Sequence, residues 1–196
     1  MNKKILSVLA TCSLATQLYA GGDISPTVMH VEETSHHESQ FYVIAKGLTI
    51  GGDKVSHGHD VLDGDRGYGF GIDLGYRLGH GFALEYDFSY AKNTVTETNA
   101  AHHSIDADAT YTTHALHLVY THHITDTVGV FVKGGYEYEK EEIKDLHIDA
   151  SDKGFAYGVG VEYKIDNHYT FLVEYEGSNI EGPRGDAIFV GVMYNF

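Results

Sequence analysis

Apolar and polar residues alternate along most of the chain after residue 39. Between residues 67 and 78, every second residue is apolar, and the residues between them are glycines or charged residues. Successive side chains of a strand point to opposite faces, so this period of two predicts a strand with one apolar and one polar face. The pattern recurs in 82–90, 128–139, 154–165, 169–176 and 187–196, and less regularly in 40–50 and 109–122. The sequence therefore predicts eight strands.

The connections between these strands alternate in length. Short turns occupy 78–81, 122–126 and 166–168, whereas long polar segments occupy 51–66, 92–108, 140–153 and 177–185. Outer-membrane barrels have short periplasmic turns and long extracellular loops, and strands of about 10 residues cross the hydrocarbon layer when tilted. The predicted fold is all-β, an eight-stranded antiparallel transmembrane up-and-down β-barrel.

The apolar face of the strands is predicted to face lipid. The regular strands place no charge on it, and a lysine or arginine at the bilayer midplane would cost roughly 2–4 kcal/mol. Aromatic residues concentrate near the strand ends, which predicts two interfacial girdles. One girdle comprises Tyr76, Phe82, Tyr120, Tyr163, Tyr169 and Phe196, and the other Tyr68, Tyr90, Tyr111, Tyr138, Phe155 and Tyr175.

The polar face carries charged residues that are predicted to point into the barrel. They are Lys46, Asp73, Arg77, Glu85, Asp87, Lys133, Glu137, Glu162, Lys164 and Glu174. An eight-stranded barrel is barely wide enough for its own side chains, which favours a closed core with the pairs Asp73/Arg77, Lys133/Glu137 and Glu162/Lys164. The alternative is a narrow path that prefers cations, because carboxylates outnumber basic groups in this set.

The first 39 residues are predicted to lie outside the barrel. Lysines near the start, an apolar stretch and a small residue at position 20 indicate a signal peptide over 1–20 for Sec-dependent export. Residues 21–39 are polar and acidic and predict a flexible periplasmic arm, and 40–196 form the barrel. Cleavage would remove Cys12, the only cysteine, and would take the formal net charge of −15 two units further, to −17. So acidic a chain should not bind nucleic acid through its overall charge.

In the final predicted strand, every second residue is apolar or aromatic, namely Val192, Tyr194 and Phe196, and the strand ends on Phe196. This resembles the C-terminal assembly signal of Gram-negative outer-membrane barrels. With the leader and the eight strands, the chain resembles the small outer-membrane β-barrel family that includes opacity-type proteins and OmpA-like transmembrane domains. The resemblance implies a cell outer membrane location, recognition by the barrel-assembly machinery, and contact with outer-membrane lipid and lipopolysaccharide. The family shares no catalytic residues, so it implies neither a cofactor nor an enzyme activity.

Histidines are frequent in the predicted extracellular loops. His57, His59, His102 and His103 are weak candidates for binding Zn, Ni or Cu, since imidazole suits these ions but the spacing matches no defined site. A second hypothesis is an acid-dependent association of the loops, because protonating all 14 histidines would take the charge of −17 to −3.

Two short motifs near the C-terminus raise further hypotheses. Ser178 lies where lipid A deacylases have their serine, but Glu176 stands at the position of the histidine base, which argues against that chemistry. Arg184-Gly185-Asp186 matches the integrin-recognition tripeptide, a match that three residues often reach by chance. The predicted function is a non-enzymatic surface protein that contributes to envelope integrity or binds a host or extracellular ligand through its loops. The alternatives are a narrow, weakly cation-selective porin and an outer-leaflet lipid-modifying enzyme.

Overall fold

The computed structural model of the protein describes residues 40–57, 60–98 and 103–196. The predicted signal peptide and periplasmic arm lie outside these ranges. Among the described residues, no helix is long and apolar enough to cross a membrane. The elements are β1 (Phe41–Ile50), β2 (Lys54–His57), β3 (Asp60–Gly64), β4 (Gly67–Gly79), β5 (Phe82–Thr98), β6 (Ser104–His123), β7 (Val128–Ile143), a 3-10 turn (Lys144–Leu146), β8 (Ile148–Lys164), β9 (Tyr169–Ser178) and β10 (Ala187–Asn195).

Eight of these strands form a closed antiparallel ring. Its order is β1-β4-β5-β6-β7-β8-β9-β10, and the ring closes where β10 pairs with β1 from Tyr42 opposite Asn195 to Ile50 opposite Ala187. Closure pairs the backbone groups of every strand, which a strand in lipid requires. The predicted up-and-down barrel is confirmed.

Burial along the strands follows the alternation of the sequence. In β4, Gly71 and Asp73 are buried, whereas Phe70, Ile72 and Leu74 are exposed on the outside. A sheet whose exposed face is a continuous apolar surface suits lipid rather than water. The strand pattern thus places polar residues inside and apolar residues outside.

The strands of one half of the ring are much longer than the others. β5, β6, β7 and β8 have 17, 20, 16 and 17 residues, whereas β1, β4, β9 and β10 have 10, 13, 10 and 9. About 10 residues cross the hydrocarbon layer, so the long strands continue beyond it on the side of the long connections. We call this part of β5–β8 the extension.

The extension corrects the prediction of long loops. Segments 92–108 and 140–153 are mostly paired strand, with Thr98 opposite Ser104 and Ile143 opposite Ile148. Segment 51–66 contains the β2–β3 hairpin, which adds to the edge of β5. These segments are polar on average, but threonine, valine and isoleucine recur among their polar residues, and such residues favour strands.

Among the residues that the structure describes, two apolar clusters lie inside the barrel. The first, toward the short turns, comprises Tyr42, Ile44, Ala83, Val119, Phe131, Leu172 and Met193. The second, toward the extension, comprises Leu48, Ile50, Ala91, Val95, Ala107, Ala109, Tyr111, Ile143, Ala187 and Phe189. The prediction that Tyr111 belongs to a girdle is wrong, because its ring is 1% exposed inside the second cluster, where Ala107 and Ala109 leave it room.

Candidate functional site

A layer of buried charged side chains fills the barrel interior. Its centre is Lys133 of β7, whose Nζ lies 2.5 Å from Glu174 Oε1, 2.7 Å from Asp87 Oδ2 and 2.9 Å from Glu176 Oε2. The lysine side chain is fully buried. Gly158 gives it room, because a Cβ there would come within 2.9 Å of two of the lysine's methylene carbons. One ammonium group therefore holds three carboxylates from two other strands.

Lys46 of β1 is the second cation of the layer. Its Nζ lies 2.6 Å from Asp73 Oδ2 and 4.3 Å from the centre of the Phe189 ring. Gly191 on the neighbouring strand lets the side chain pass, since a Cβ there would lie 2.9 Å from Lys46 Cγ. Burial of an ammonium group is costly unless it is paired, and here a carboxylate and an aromatic face both stabilise it.

His117 of β6 also belongs to the buried layer. Its side chain is fully buried, and Nδ1 lies 2.8 Å from Asp87 Oδ2. The sequence analysis did not select this residue, because segment 109–122 alternates less regularly than the other strands. The sequence feature that points to an inward His117 is its position on the same strand face as the small and apolar residues Ala115 and Val119, both of which are buried.

Arg184 enters the interior from the last loop. Its Nη1 donates a hydrogen bond to Thr113 Oγ1 at 2.9 Å and pairs with the Glu139 carboxylate, and Nη2 lies 3.9 Å from Glu176 Oε1. Burial lowers the pKa of the guanidinium, but the carboxylates of Glu139, Glu137 and Glu176 outweigh burial and raise that pKa above its ordinary value. A permanently charged loop residue thus closes this side of the lumen.

This placement bears on the two C-terminal motifs. Arg184 is buried, and Asp186 accepts a hydrogen bond from Tyr175, so the tripeptide does not present its charged groups together. Ser178 Oγ accepts a hydrogen bond from the Ile180 N–H at 3.1 Å, and the Glu176 carboxylate contacts Lys133. Glu176 is therefore engaged by a lysine rather than placed to activate the serine.

Most of the predicted interior charges lie in the buried layer or next to it. Seven are buried, namely Lys46, Asp73, Glu85, Asp87, Lys133, Glu137 and Glu174. Arg77 and Glu162 are half-buried toward the short turns, and Arg77 donates a hydrogen bond to Asn195 Oδ1 at 2.6 Å. Lys164 is exposed, since it ends its strand next to a short turn, and it lies outside the interior set.

The ion pairs differ from those predicted within single strands. Asp73 pairs with Lys46 across the β1–β4 contact, and Lys133 pairs with residues of β5 and β9. Residues two apart along a strand are separated by roughly 7 Å, so a narrow barrel brings side chains of different strands closer together.

Within the part of the chain that the structure describes, two groups of buried residues have the donor atoms for a metal ion. They are Asp87, His117 and Glu176, and Asp73, Glu85 and Asp87, and the donor atoms within each group lie within 4.8 Å of one another. Both groups share Asp87, whose carboxylate already contacts Lys133. The lysine therefore supplies the positive charge that a metal ion would bring. Of the predicted loop histidines, His59 and His102 lie outside the described residues, His57 contributes backbone to β2, and His103 is exposed.

The charged layer is closed on both sides. The two apolar clusters lie toward the short turns and toward the extension, and Arg184 covers the carboxylates of Glu139 and Glu176. A cavity of about 10 Å³ lies beside Lys46 and Phe189, and another of about 50 Å³ lies beside Glu139 and Arg184. The smaller of the two holds about one water molecule.

These features match a known family. The family described as outer membrane protein beta-barrel domain matches residues 8–196. The chain belongs to this family. Its location is accordingly the outer membrane, as the sequence analysis predicts.

Solved structures share the fold. OprG from Pseudomonas aeruginosa is 14% identical with a TM-score of 0.64, over 82% of this chain and 97% of OprG. Neisserial surface protein A is 18% identical with a TM-score of 0.57, over 81% and 98%. The attachment invasion locus protein Ail of Yersinia pestis, in complex with the heparin analogue sucrose octasulfate, is 17% identical with a TM-score of 0.51, over 80% and 98%. No curated protein matches the chain by sequence.

Proposed function

We propose that this barrel is a non-enzymatic surface protein that acts through its extension and does not conduct ions. The observation that carries the proposal is the closed lumen, in which Lys133 and Lys46 are paired with carboxylates between two apolar clusters. A side-chain core of this kind joins the strands across the lumen and leaves no open path through it. The part of the protein available to a partner is then the extension.

The extension is built as a platform rather than as loose loops. The β5–β6 ladder continues to Thr98 opposite Ser104, and β3 adds a further strand to it. Val95, Ala107 and Ile143 are buried beneath this surface. Paired strands lose little conformational entropy on binding, which favours recognition of a partner.

The charge of the extension favours a cationic partner. Its outer surface carries the acidic side chains Asp106, Asp108, Glu142 and Asp149, all exposed or half-exposed. Ail holds a polyanionic heparin analogue in its solved structure. An acidic surface repels polyanions and attracts basic ligands, so a basic peptide or protein segment is the chemistry that this extension would recognise.

Conductance in a planar lipid bilayer tests the closed lumen. Folding is first confirmed by a heat-modifiability gel, in which folded and boiled barrels migrate differently. We expect no single-channel steps. Reproducible cation-selective steps that change in Glu85→Gln or Asp87→Asn would overturn the proposal in favour of a narrow cation pore.

Shortened hairpins test the role of the extension. Thr94 pairs with Asp108, and Lys140 pairs with Ser151, so an Asn-Gly turn can replace 95–107 or 141–150 without changing the register below. We expect the folded variants to lose binding to immobilised polylysine, while neither they nor the parent protein binds heparin. Equal polylysine binding by parent and shortened barrels would contradict a role for the extension.

A further inference from the structure

The last loop folds over the mouth of the barrel and leaves a cavity there. The cavity has a volume of about 50 Å³, room for roughly four water molecules. Its lining includes Asp53, Glu139, Ser178, Arg184 and Asp186. Glu139 and Arg184 are buried and form its floor, whereas Asp53 and Asp186 are exposed and form its rim. We call this space the mouth cavity.

Hydrogen bonds between two loops fix the shape of the mouth cavity. The Gly51 N–H donates to the Asp186 carbonyl at 2.7 Å, and the Asp53 N–H donates to the Pro183 carbonyl at 3.2 Å. Gly185 has a φ of 66°, and a Cβ there would come within 2.9 Å of the Gly51 carbonyl oxygen. The close approach of the two loops therefore depends on a glycine. A ligand would enter a preformed space, so little conformational entropy would be lost on binding.

Negative charge predominates in the mouth cavity, which is lined by three carboxylates and one guanidinium. The guanidinium of Arg184 is already paired with Glu139 Oε2, whereas Glu139 Oε1 has no hydrogen-bond partner among the described residues. Asp186 is similar, since Tyr175 donates to its Oδ2 and no donor of the described chain meets its Oδ1. A carboxylate oxygen withdrawn from water needs a donor, and a cation that enters the cavity would supply one.

The wall below the floor adds to the negative charge. Glu137, the preceding inward-facing residue of β7, is fully buried, and neither of its carboxylate oxygens has a hydrogen-bond partner among the described residues. Arg184 is the cation that faces this carboxylate, and it is shared with Glu139 and Glu176. One guanidinium therefore balances only part of the charge around the cavity.

The arrangement suits an ammonium group better than a metal ion or an anion. Among the described residues, the groups of three acidic or histidine donors within 4.8 Å of one another lie in the charged layer, and Asp53, Glu139 and Asp186 form no such group. Their oxygens are therefore too far apart to surround one bare ion. An anion would be repelled by three carboxylates. An ammonium group has three donors that point in different directions, whereas a guanidinium is a planar fork that suits the two oxygens of one carboxylate.

We propose that the mouth cavity binds the ammonium group of a lysine side chain from the basic partner. The ammonium donates to Glu139 Oε1 at the floor, and the carboxylates of Asp53 and Asp186 at the rim add attraction. Ile180, a half-buried residue of the lining, packs against the methylene stem. The inference rests on the proposed function, because it names the side chain that a partner of the extension would insert beside it.

A thiol placed in the mouth cavity tests the site by itself. Cys12→Ser/Ser178→Cys is refolded, and a small uncharged thiol reagent modifies it in the presence of N-acetyl-lysine amide or N-acetyl-norleucine amide, which lacks the ammonium group. We expect the lysine compound to slow modification in a concentration-dependent way and the norleucine compound to leave the rate unchanged. In the control Cys12→Ser/Ser56→Cys, whose thiol is at an exposed position of β2, neither compound should act. Equal rates with both compounds at Ser178→Cys, or equal slowing at the two thiols, would overturn the proposal.

Binding to immobilised polylysine tests the carboxylates of the rim. In Asp53→Asn/Asp186→Asn, the amide oxygens still accept from the Lys54 N–H and the Tyr175 hydroxyl, but two charges are lost. We expect binding to weaken roughly 10–25-fold, at about three- to fivefold for each carboxylate. The parent protein should prefer polylysine to polyarginine, and this variant should lose the preference.

A matched control removes two carboxylates from the outer surface of the extension. Asp106→Asn/Asp108→Asn should weaken polylysine binding through charge alone and should keep the preference for polylysine over polyarginine. If Asp53→Asn/Asp186→Asn binds like the parent while the shortened hairpins do not bind, the mouth cavity is not the lysine site and the proposed function stands. If the lysine compound protects Ser178→Cys but polylysine does not bind the parent, the proposed function fails and the mouth cavity is still an ammonium site.

Discussion

The same four strands build two opposite kinds of structure at two heights. Within the membrane, β6 points Leu116 and Leu118 outward and His117 inward. In the extension, the same strand points Asp106 outward and Ala107 inward. Side chains alternate between the two faces along the whole strand. At the height of the girdle, however, the outer face changes from apolar to polar and the inner face from polar to apolar. The medium outside the wall decides which residues a barrel can place there, since lipid requires apolar side chains and water accepts charged ones.

The comparison also separates two ways of filling an interior. The lumen within the membrane is filled by ion pairs around Lys133, whereas the interior of the extension is filled by Val95, Ala107 and Ile143. Removing one member of a buried ion pair leaves an uncompensated charge, and removing an apolar side chain leaves a cavity. The two regions should therefore differ in how strongly one substitution affects them.

The largest expected effect is that of Lys133→Met. Because three carboxylates lie within 2.9 Å of Lys133 Nζ, we expect the free energy of unfolding to fall by about 3–5 kcal/mol. Urea unfolding of the barrel in lipid vesicles measures it. The matched control is Lys54→Met, which breaks an exposed ion pair to Asp63 and should cost about 0–1 kcal/mol. Equal losses in both variants would show that the buried layer contributes no special stability.

A smaller effect is expected for Ile143→Ala in the extension. Its side chain is fully buried in the second apolar cluster, and truncating a buried isoleucine costs about 2–5 kcal/mol. We expect the lower end of that range, about 2 kcal/mol, since the hairpin can relax into the cavity. Hydrogen exchange should report faster opening of the extension while the strands within the membrane stay protected. Ile105→Ala, at an exposed position of the same platform, serves as control, and uniform loss of protection would contradict two separable regions.

The smallest effect is expected at the end of the barrel opposite the extension, in the short turn between β8 and β9. Asp166 accepts backbone hydrogen bonds from His168 at 2.7 Å and from Tyr169 at 2.8 Å, and these bonds, the one from Tyr169 first, lower the pKa of its carboxyl below the ordinary value. A lowered pKa in the folded state contributes stability above about pH 4 that is lost as the pH falls through the folded value.

In Asp166→Asn, the stability of the barrel should therefore fall slightly less as the pH is lowered from 5 to 2.5. Its stability at neutral pH should be almost unchanged. Unfolding midpoints between pH 5 and pH 2.5 measure this, with Asp126→Asn in another short turn as the control for losing one carboxylate. If Asp166→Asn loses as much stability between pH 5 and pH 2.5 as the parent protein does, the hydrogen bonds to Asp166 make no contribution to the pH dependence of stability.

The reversal at the girdle explains what the sequence could and could not predict. Strict alternation between residues 67 and 78 specifies a strand and its lipid face, and the closed ring follows from eight such strands. The sequence predicts loops where the extension lies because polar residues of the extension, such as Asp106 and Glu142, stand on the face that is apolar within the membrane. The sequence predicts an outward Tyr111 for a related reason, since its segment carries aromatic and polar residues on both faces.

The details of the buried layer depend on contacts that run across the barrel. Which carboxylates meet Lys133 is set by strand tilt and by the space that Gly158 leaves, and neither is visible as a period in the sequence. Arg184 shows the limit most clearly. In the sequence it is one residue of a familiar tripeptide in a polar loop, and its role in the lumen follows only from how that loop folds back onto Thr113 and Glu139.

The pairing of β1 with β10 has a consequence for how the barrel forms. Every other pair in the ring joins strands that lie close together along the chain. β1 and β10 do not, because Tyr42 and its partner Asn195 are about 150 positions apart. Contacts between such distant parts of a chain form slowly, and hairpins form in microseconds. The seam is therefore the last ladder to close, and until then β1 and β10 each carry an open row of amides and carbonyls. Whatever accompanies this chain into the membrane has to shield two strand edges at once.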